Sequence, residues 1–334
     1  MRDLAGLRPP SWSRGAAQPT PSIRRVSSEQ LASAAAVILL VATAMPGFDP
    51  GVGPQPIAEP LNMAGPVKGR AAASTEAVSR QGERGKQIAP QRETVIGAYG
   101  GSPYTYDSDV AMIKPGVHDF VAHDVAWRGM PFKSPIYYGV RVMRWFGVGS
   151  TGTMLDFTHS KAISSPDQKV KFTGTLDGKP APAEAQIQDV FRRLEASHDH
   201  NMLTLNGLVR LPGPSAQISP YAGFGAGVSL PHSEVELKTD PARTYEYQMA
   251  GPVGQALFGF EFRLPQQSFF VEYKFSLAPY TMPLSQRDGT YLPVDLWRQF
   301  QQWWSRTPLP GGHLETQFTS HQVIGGIAVR IASP

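Results

Sequence analysis

Ile218-Ser219-Pro220-Tyr221-Ala222-Gly223-Phe224-Gly225-Ala226-Gly227-Val228-Ser229-Leu230 is the stretch whose reading decides the fold. Taken two by two, Ile218, Pro220, Ala222, Phe224, Ala226, Val228 and Leu230 share one face, and Ser219, Tyr221, Gly223, Gly225, Gly227 and Ser229 share the other. A period of two belongs to a β-strand. Three glycines on one face weaken a strand that must pack side chains there. They suit a tightly curved sheet that turns a narrow interior towards itself.

The same alternation recurs on both sides of this strand. Upstream lie Thr94–Gly101, Ile136–Phe146, Thr151–His159 and Met202–Leu211; downstream lie Gln255–Leu264, Ser268–Leu277 and Ser320–Ile331. The connections run long-short-long-short-long-short-long, with tight turns at Gly147–Ser150, Pro212–Ala216 and Pro265–Gln267. Each segment is near the ~9–11 residues of a tilted membrane strand. Arg141, Asp156, Glu261, Glu272, Lys274 and Arg330 fall on the faces that carry Gly and Thr, opposite the apolar faces. A soluble eight-stranded barrel or β-sandwich would place those charges outward and the apolar faces inward. The expectation is therefore an all-β fold over 93–334: an eight-stranded antiparallel up-and-down transmembrane β-barrel with long extracellular loops. At eight strands, side chains fill the interior and leave no aqueous pore. Arg144 and His321 fall on apolar faces, which is tolerable only near a strand end.

The N-terminus reads as an address. Arg2, Arg8, Arg14, Arg24 and Arg25 precede the apolar run Leu31–Val41 and Ala42-Thr43-Ala44, the order of an export signal. The apolar run is short for a membrane-spanning helix, which is the competing reading. Removing residues 1–44, with five Arg and two acidic residues, takes the formal charge from +4 to +1. The high pI therefore gives no support to nucleic-acid binding, which would need a basic stripe on the remaining domain. Residues 45–92 are rich in Pro, Gly and Ala and read as a flexible spacer. The chain has no cysteine, so neither disulfides nor thiolate metal sites are available. An exported monomer in the bacterial outer membrane is expected.

All eight histidines, His118, His123, His159, His198, His200, His232, His313 and His321, fall in long loops or at the strand ends nearest them. Asp119, Asp124, Asp199, Glu234, Glu246 and Glu315 accompany them. Loops are polar and collect such residues; alternatively, strand ends build a rim site with His and carboxylate ligands for a divalent metal ion. Helical periodicity appears at Ala183–Ser197 through Ile187, Val190, Phe191 and Leu194, and at Val294–Arg306 through Leu296, Trp297, Phe300, Trp303 and Trp304. Each helix either caps the barrel mouth or, for the Trp-rich one especially, lies at the interface and grips acyl chains or head groups. Lumen charges such as Glu272 and Lys274 are most simply a buried structural network, those nearest the loops bordering a site. Lipid A hydrolysis by a His/Ser pair is a competing chemistry. His159-Ser160 and His232-Ser233 are adjacent, however, so a regular strand points them to opposite faces.

Several stretches together resemble the outer-membrane lipid A oxidases. They are Tyr137-Tyr138-Gly139-Val140-Arg141, Asp156-Phe157-Thr158-His159-Ser160-Lys161, Leu203-Thr204-Leu205-Asn206, Pro220–Gly227, Pro231-His232, Tyr245-Glu246-Tyr247-Gln248 with Gly251-Pro252, and Glu272-Tyr273-Lys274. The resemblance spans roughly 93 to 331. It implies an oxidoreductase that converts the proximal glucosamine of lipid A to 2-aminogluconate, with dioxygen as acceptor and lipopolysaccharide as partner. On the motif positions at the rim, His159, His232 and Glu246 are the expected catalytic groups. Arg141, Lys161, Gln248 and Lys274 are the expected substrate contacts, and His159, His232, His321 and Glu246 the expected ligands if a divalent metal takes part. The chain departs from the family in its last residues, Arg330–Pro334, which lack a terminal aromatic, and in a longer fourth loop. Besides the oxidase, a lipid A deacylase-type barrel and a non-enzymatic surface barrel or adhesin are the alternatives.

Overall fold

The computed structural model describes residues 92–147, 150–240 and 242–332, with backbone alone at 197–199 and 332. The export-signal reading of 1–44 and nearly all of the spacer reading of 45–92 fall outside the described residues; only Arg92 is described, as the first strand residue.

Eight strands close a barrel. They are β1 (Arg92–Thr105), β2 (Tyr138–Phe146), β3 (Thr151–His159), β4 (Met202–Arg210), β5 (Ile218–Ser229), β6 (Gly251–Arg263), β7 (Gln267–Pro283) and β8 (His313–Ala332). Each pairs antiparallel with the next, and β8 returns to β1 from Glu93↔Ala332 to Thr105↔Ser320, so no edge remains. The alternation seen in the sequence sets the two surfaces. Val140, Val142, Leu155, Leu205, Phe224, Phe269, Val271, Val323, Ile327 and Val329 face out and are exposed, whereas Arg141, Asp156, Asn206, Tyr221, Glu272 and Lys274 face in and are buried. This polarity is the reverse of a soluble barrel's.

Aromatic rings lying on glycines of the neighbouring strand fill the interior. Tyr99 pairs in register with Gly139, Tyr221 with Gly259 and Phe270 with Gly326. A Cβ on Gly139 would stand 1.9 Å from the Tyr99 ring, and one on Gly326 would stand 2.4 Å from the Phe270 ring. The glycines thus make room for inward aromatic rings that a narrow barrel otherwise could not hold.

At the long-connection end the structure differs from expectation. The connections there are not irregular loops but a second tier of sheet. The upper parts of β7 and β8 stay paired as far as Pro283↔His313, and Ser108–Lys114, His118–Val125, Lys169–Leu176 and Glu184–Gln186 extend the sheet from β8. A separate five-stranded sheet runs Thr244–Tyr247, His232–Leu237, Phe191–Asp199, Ala162–Ser164, Trp127–Arg128. The two share an apolar core that includes Met112, Phe120, Phe172, Phe191, Leu194, Tyr280, Leu314 and Phe318. The helix expected over Ala183–Ser197 is one turn, Ile187–Val190, followed by the strand Phe191–Asp199. A register shift between Phe191 and Arg193 explains the misreading. A bulge adds one residue to the period of two, so Phe191 and Leu194 both point inward at a spacing that imitates a helix. The Trp-rich segment is a helix as expected, α1 (Leu292–Ser305).

Candidate functional site

Two charged layers cross the lumen. In the upper one, Arg141 donates from Nη1 and Nη2 to Glu272 at 2.8 and 2.9 Å. Lys274 Nζ donates to Asp156 Oδ2 at 2.6 Å and to the Tyr99 and Thr158 hydroxyls at 2.7 and 2.9 Å. Two cations face two carboxylates, and Tyr221 adds a hydrogen bond to Glu272 at 2.7 Å. The lower layer, beside the short turns, joins Glu93 and Glu261 to Arg210, Arg263 and Arg330. Buried ion pairs endure only with this degree of mutual satisfaction. Arg141 and Lys274, expected as substrate contacts, are committed to this network and are fully buried.

The rim residues expected to act together do not converge. His159 Nδ1 lies 3.1 Å from Asn201 Oδ1, and its ring stacks on Tyr138 at 4.7 Å. His232 Nε2 donates to the Gly289 carbonyl at 3.0 Å, between the rings of Tyr245 and Tyr247. Glu246 sits on the opposite face of the same hairpin, where it accepts from Ser285, from Gln248 Nε2 at 3.2 Å and from Arg287 Nε at 3.2 Å. Alternation along the strand separates His232 from Glu246, because Ser233, and not His232, pairs with Glu246. Gln248 is buried between Ser233 and the Pro283 carbonyl. His321 lies on the barrel's outer face, held by the hydroxyls of Tyr106 and Tyr273. Among the described residues no three His, Cys, Asp or Glu side chains come together. The four expected metal ligands therefore do not form one site, and no step below runs through a metal. Lys161 is turned inward, its Nζ 2.7 Å from the Lys133 carbonyl, and burial pulls its pKa down.

His200 is a further buried group, in the core of the second tier. Its Nδ1 is 2.5 Å from the Tyr280 hydroxyl, and burial, helped by the nearby His159, lowers its pKa to about 4. A histidine near pKa 6.5 when unfolded and about 4 when folded contributes its full stability above pH 6.5. That stability is lost as pH falls towards 4. The expected loss from this group is about 3 kcal/mol by pH 4. Scanning calorimetry in detergent between pH 7 and pH 4 measures it; His200→Phe should remove about that amount from the drop, and an unchanged pH slope would reject the assignment.

Helix α1 is attached by its polar side: Asp295 Oδ2 accepts the Tyr247 N–H at 3.3 Å, Gln299 bonds the N–H and carbonyl of Met249 at 2.8 and 3.0 Å, and Gln302 Oε1 accepts from Arg287 at 3.2 Å. These residues follow i, i+4, i+7 and so form one stripe. The aromatic stripe, Trp297, Phe300, Trp303 and Trp304, points away from the protein, with Trp303 and Trp304 70% and 74% exposed. A surface helix normally buries its apolar stripe; α1 does the opposite. Beneath its C-terminal half lies a groove of about 910 Å³, bounded by Trp303, Trp304, Arg306 and Leu309 on one side and by Thr281, Pro283, Arg287 and His313 on the other. His313 Nε2 stands 3.2 Å from Glu315 Oε1. Thr281 pairs in register with Glu315 and Pro283 with His313, so β7 and β8 form the groove floor with their outer faces.

Sequence reasoning had His313 and Glu315 among the rim residues and the Trp helix as a candidate, without joining them; Arg287 and Arg306 carried no signal of their own. The β7–β8 register is what brings the dyad under the helix. No family model matches the chain, and no curated protein shows significant similarity to it.

Proposed function

We propose that the protein is an outer-membrane barrel that oxidises the proximal glucosamine of lipid A to 2-aminogluconate, with dioxygen as electron acceptor. The observation that carries this reading is the inverted helix α1. Its polar stripe is bonded to the second tier, at Tyr247, Met249 and Arg287, and its aromatic stripe is exposed at the long-connection end of a barrel whose outer surface is apolar. Large apolar patches on such a surface mark contact with lipid, and Trp is favoured at the level of the head groups. The groove is floored by the outer faces of the upper β7–β8 pair and not by lumen residues, which suits a substrate that is itself a membrane lipid.

The reaction is a two-electron oxidation. The anomeric C1 of the proximal sugar, a hemiacetal, loses its C1–H and its O–H. The two electrons and two protons reduce dioxygen to hydrogen peroxide, and the resulting lactone takes up water to give the acid. A base close to the anomeric hydroxyl is required. In the groove that group is His313, which its contact with Glu315 orients.

Mass spectrometry of lipid A from cells with and without the gene tests the proposal. The expected result is an oxygen-dependent gain of ~16 mass units on the proximal sugar, the difference between an aldose and its aldonic acid. Loss of an acyl chain would indicate hydrolysis instead, and unchanged lipid A would overturn both.

A further inference from the structure

We propose that the outer wall at the short-turn end of β1, β2 and β3 binds the phosphodiester of an anionic phosphoglyceride, with Arg144 and Arg92 as its cations. The inference rests on the membrane reading above but not on the oxidation. It concerns the leaflet opposite the one that α1 would meet.

Three observations point to this occupant. The first is position. Val140 and Val142 face out from β2, and Arg144 continues their parity. It pairs in register with Thr94 on β1 and with Thr153 on β3, both also outward, and Arg92 pairs with Phe146 nearer the strand ends. Towards the same end the other five strands turn apolar side chains outward, among them Val209, Ile218, Phe262, Phe269 and Ile331. Arg144 lies two residues inside Phe146, which at ~3.3 Å per residue and a ~40° tilt is about 5 Å deeper in the wall. An arginine on the lipid-facing side is tolerated only where its long stem can carry the guanidinium to the head groups.

The second is chemistry. Arg144 Nη1 donates to Thr94 Oγ1 at 2.6 Å, which holds the guanidinium along the wall. The Thr94 hydroxyl accepts that bond and keeps its own hydrogen to donate. A guanidinium fork beside a donating hydroxyl matches the oxygens of a phosphate. Val142, Phe146 and Leu155, exposed around the patch, offer contact to acyl chains.

The third is charge. By parity the outward faces of β1, β2 and β3 carry Arg92 and Arg144 and no Asp or Glu. Glu93 and Glu261 face the lumen instead, where they hold Arg210, Arg263 and Arg330. The patch thus favours a net anion over a zwitterion, whose second head-group charge is a cation. It also disfavours a second copy of the chain, since a two-fold contact through this face would set arginine against arginine with no acid between them.

The test uses the full-length protein in phosphatidylcholine nanodiscs that contain a minor fraction of phosphatidylglycerol. Native mass spectrometry after mild delipidation then counts the lipids retained. Wild-type protein is expected as a monomer that retains phosphatidylglycerol above its share of the bilayer. Arg144→Gln is expected to lower that retention about tenfold, the loss of a charge-assisted phosphate contact, at an equal or higher thermal unfolding midpoint. Arg144→Lys keeps the charge, loses the fork and should fall between. Arg92→Gln, at the exposed first residue of β1, should give a smaller loss, and it carries the test should Arg144→Gln fail to fold. Lys169→Gln, which removes an exposed cation of the second tier, should change nothing. Retention in proportion to the bilayer, undiminished retention by the arginine variants, an equal loss with Lys169→Gln, or a dimer overturns the proposal. Protein that does not enter nanodiscs sinks the membrane reading and this site with it. Entry without a preference for phosphatidylglycerol sinks this site alone, and the mass of lipid A decides the oxidation separately.

Discussion

Arg141→Met is expected to destabilise the barrel by about 3–5 kcal/mol, the usual cost of removing one partner from a buried ion pair. The guanidinium is 1% exposed, donates twice to Glu272, lies 3.4 Å from Asp156, and sits 4.6 and 4.5 Å from the ring centroids of Tyr99 and Phe270. Methionine fills much of the volume but leaves Glu272 charged and facing only a tyrosine hydroxyl. The loss thus comes less from the missing attraction than from the stranded carboxylate. Arg141→Met combined with Glu272→Met removes both charges and leaves the Lys274–Asp156 pair intact at 2.6 Å, so it should recover at least half of the loss. Urea unfolding of the detergent-solubilised barrel, followed by tryptophan fluorescence, measures both. A double variant no more stable than the single one would mean that packing, and not charge, is what Arg141 provides.

Gly227→Ala should be nearly as damaging despite adding a single methyl. A Cβ at Gly227 would stand 1.8 Å from the Leu203 carbonyl oxygen and 2.7 Å from the Thr204 Cα, both on β4, its hydrogen-bonded partner. A backbone wall cannot swing aside as a side chain can, and in a closed barrel a shift of one pair is passed around the ring. The expected cost is about 3 kcal/mol, the upper part of the range for overpacked sites. Gly254→Ala is the matched control. A Cβ there meets nothing within 4 Å, so the change should be neutral or stabilise by up to about 1 kcal/mol. The same urea titrations decide it. If both alanines behave alike, the close approach of β4 and β5 is not what demands glycine.

Gly227 meets the β4 backbone, whereas Gly139, Gly259 and Gly326 meet aromatic rings. Glycines on one strand admit tyrosine and phenylalanine rings from the next, and those rings form the low-dielectric bed in which the Arg141 and Lys274 pairs are worth making. Their common effect is to fill and close the lumen.

The barrel was legible because its signal is local. Side-chain parity in Ile218–Leu230, and again in the strands around Arg141, Asp156 and Lys274, is written residue by residue, and a closed barrel preserves that parity all round. The upper tier was not legible in the same way. Phe191 and Leu194 imitate a helix because a bulge breaks their period, and nothing within the segment reveals which strand it will pair with. The candidate site was least legible. His159, His232, His321 and Glu246 were chosen for residue type and position near the rim. Facing direction separates His232 from Glu246 and puts His321 outside.

The sequence by itself determined the class of fold, the inward charges and the apolar exterior, because each follows from alternation over a few consecutive residues. It also determined that Trp297, Phe300, Trp303 and Trp304 share one helical stripe. Only the tertiary structure decided which way that stripe faces. Asp295, Gln299 and Gln302 find partners on Tyr247, Met249 and Arg287, residues 15 to 50 positions away, and so turn the aromatic rings outward over Arg306 and His313. Periodicity assigns residues to a common face, but only long-range hydrogen bonds choose the face that meets the protein.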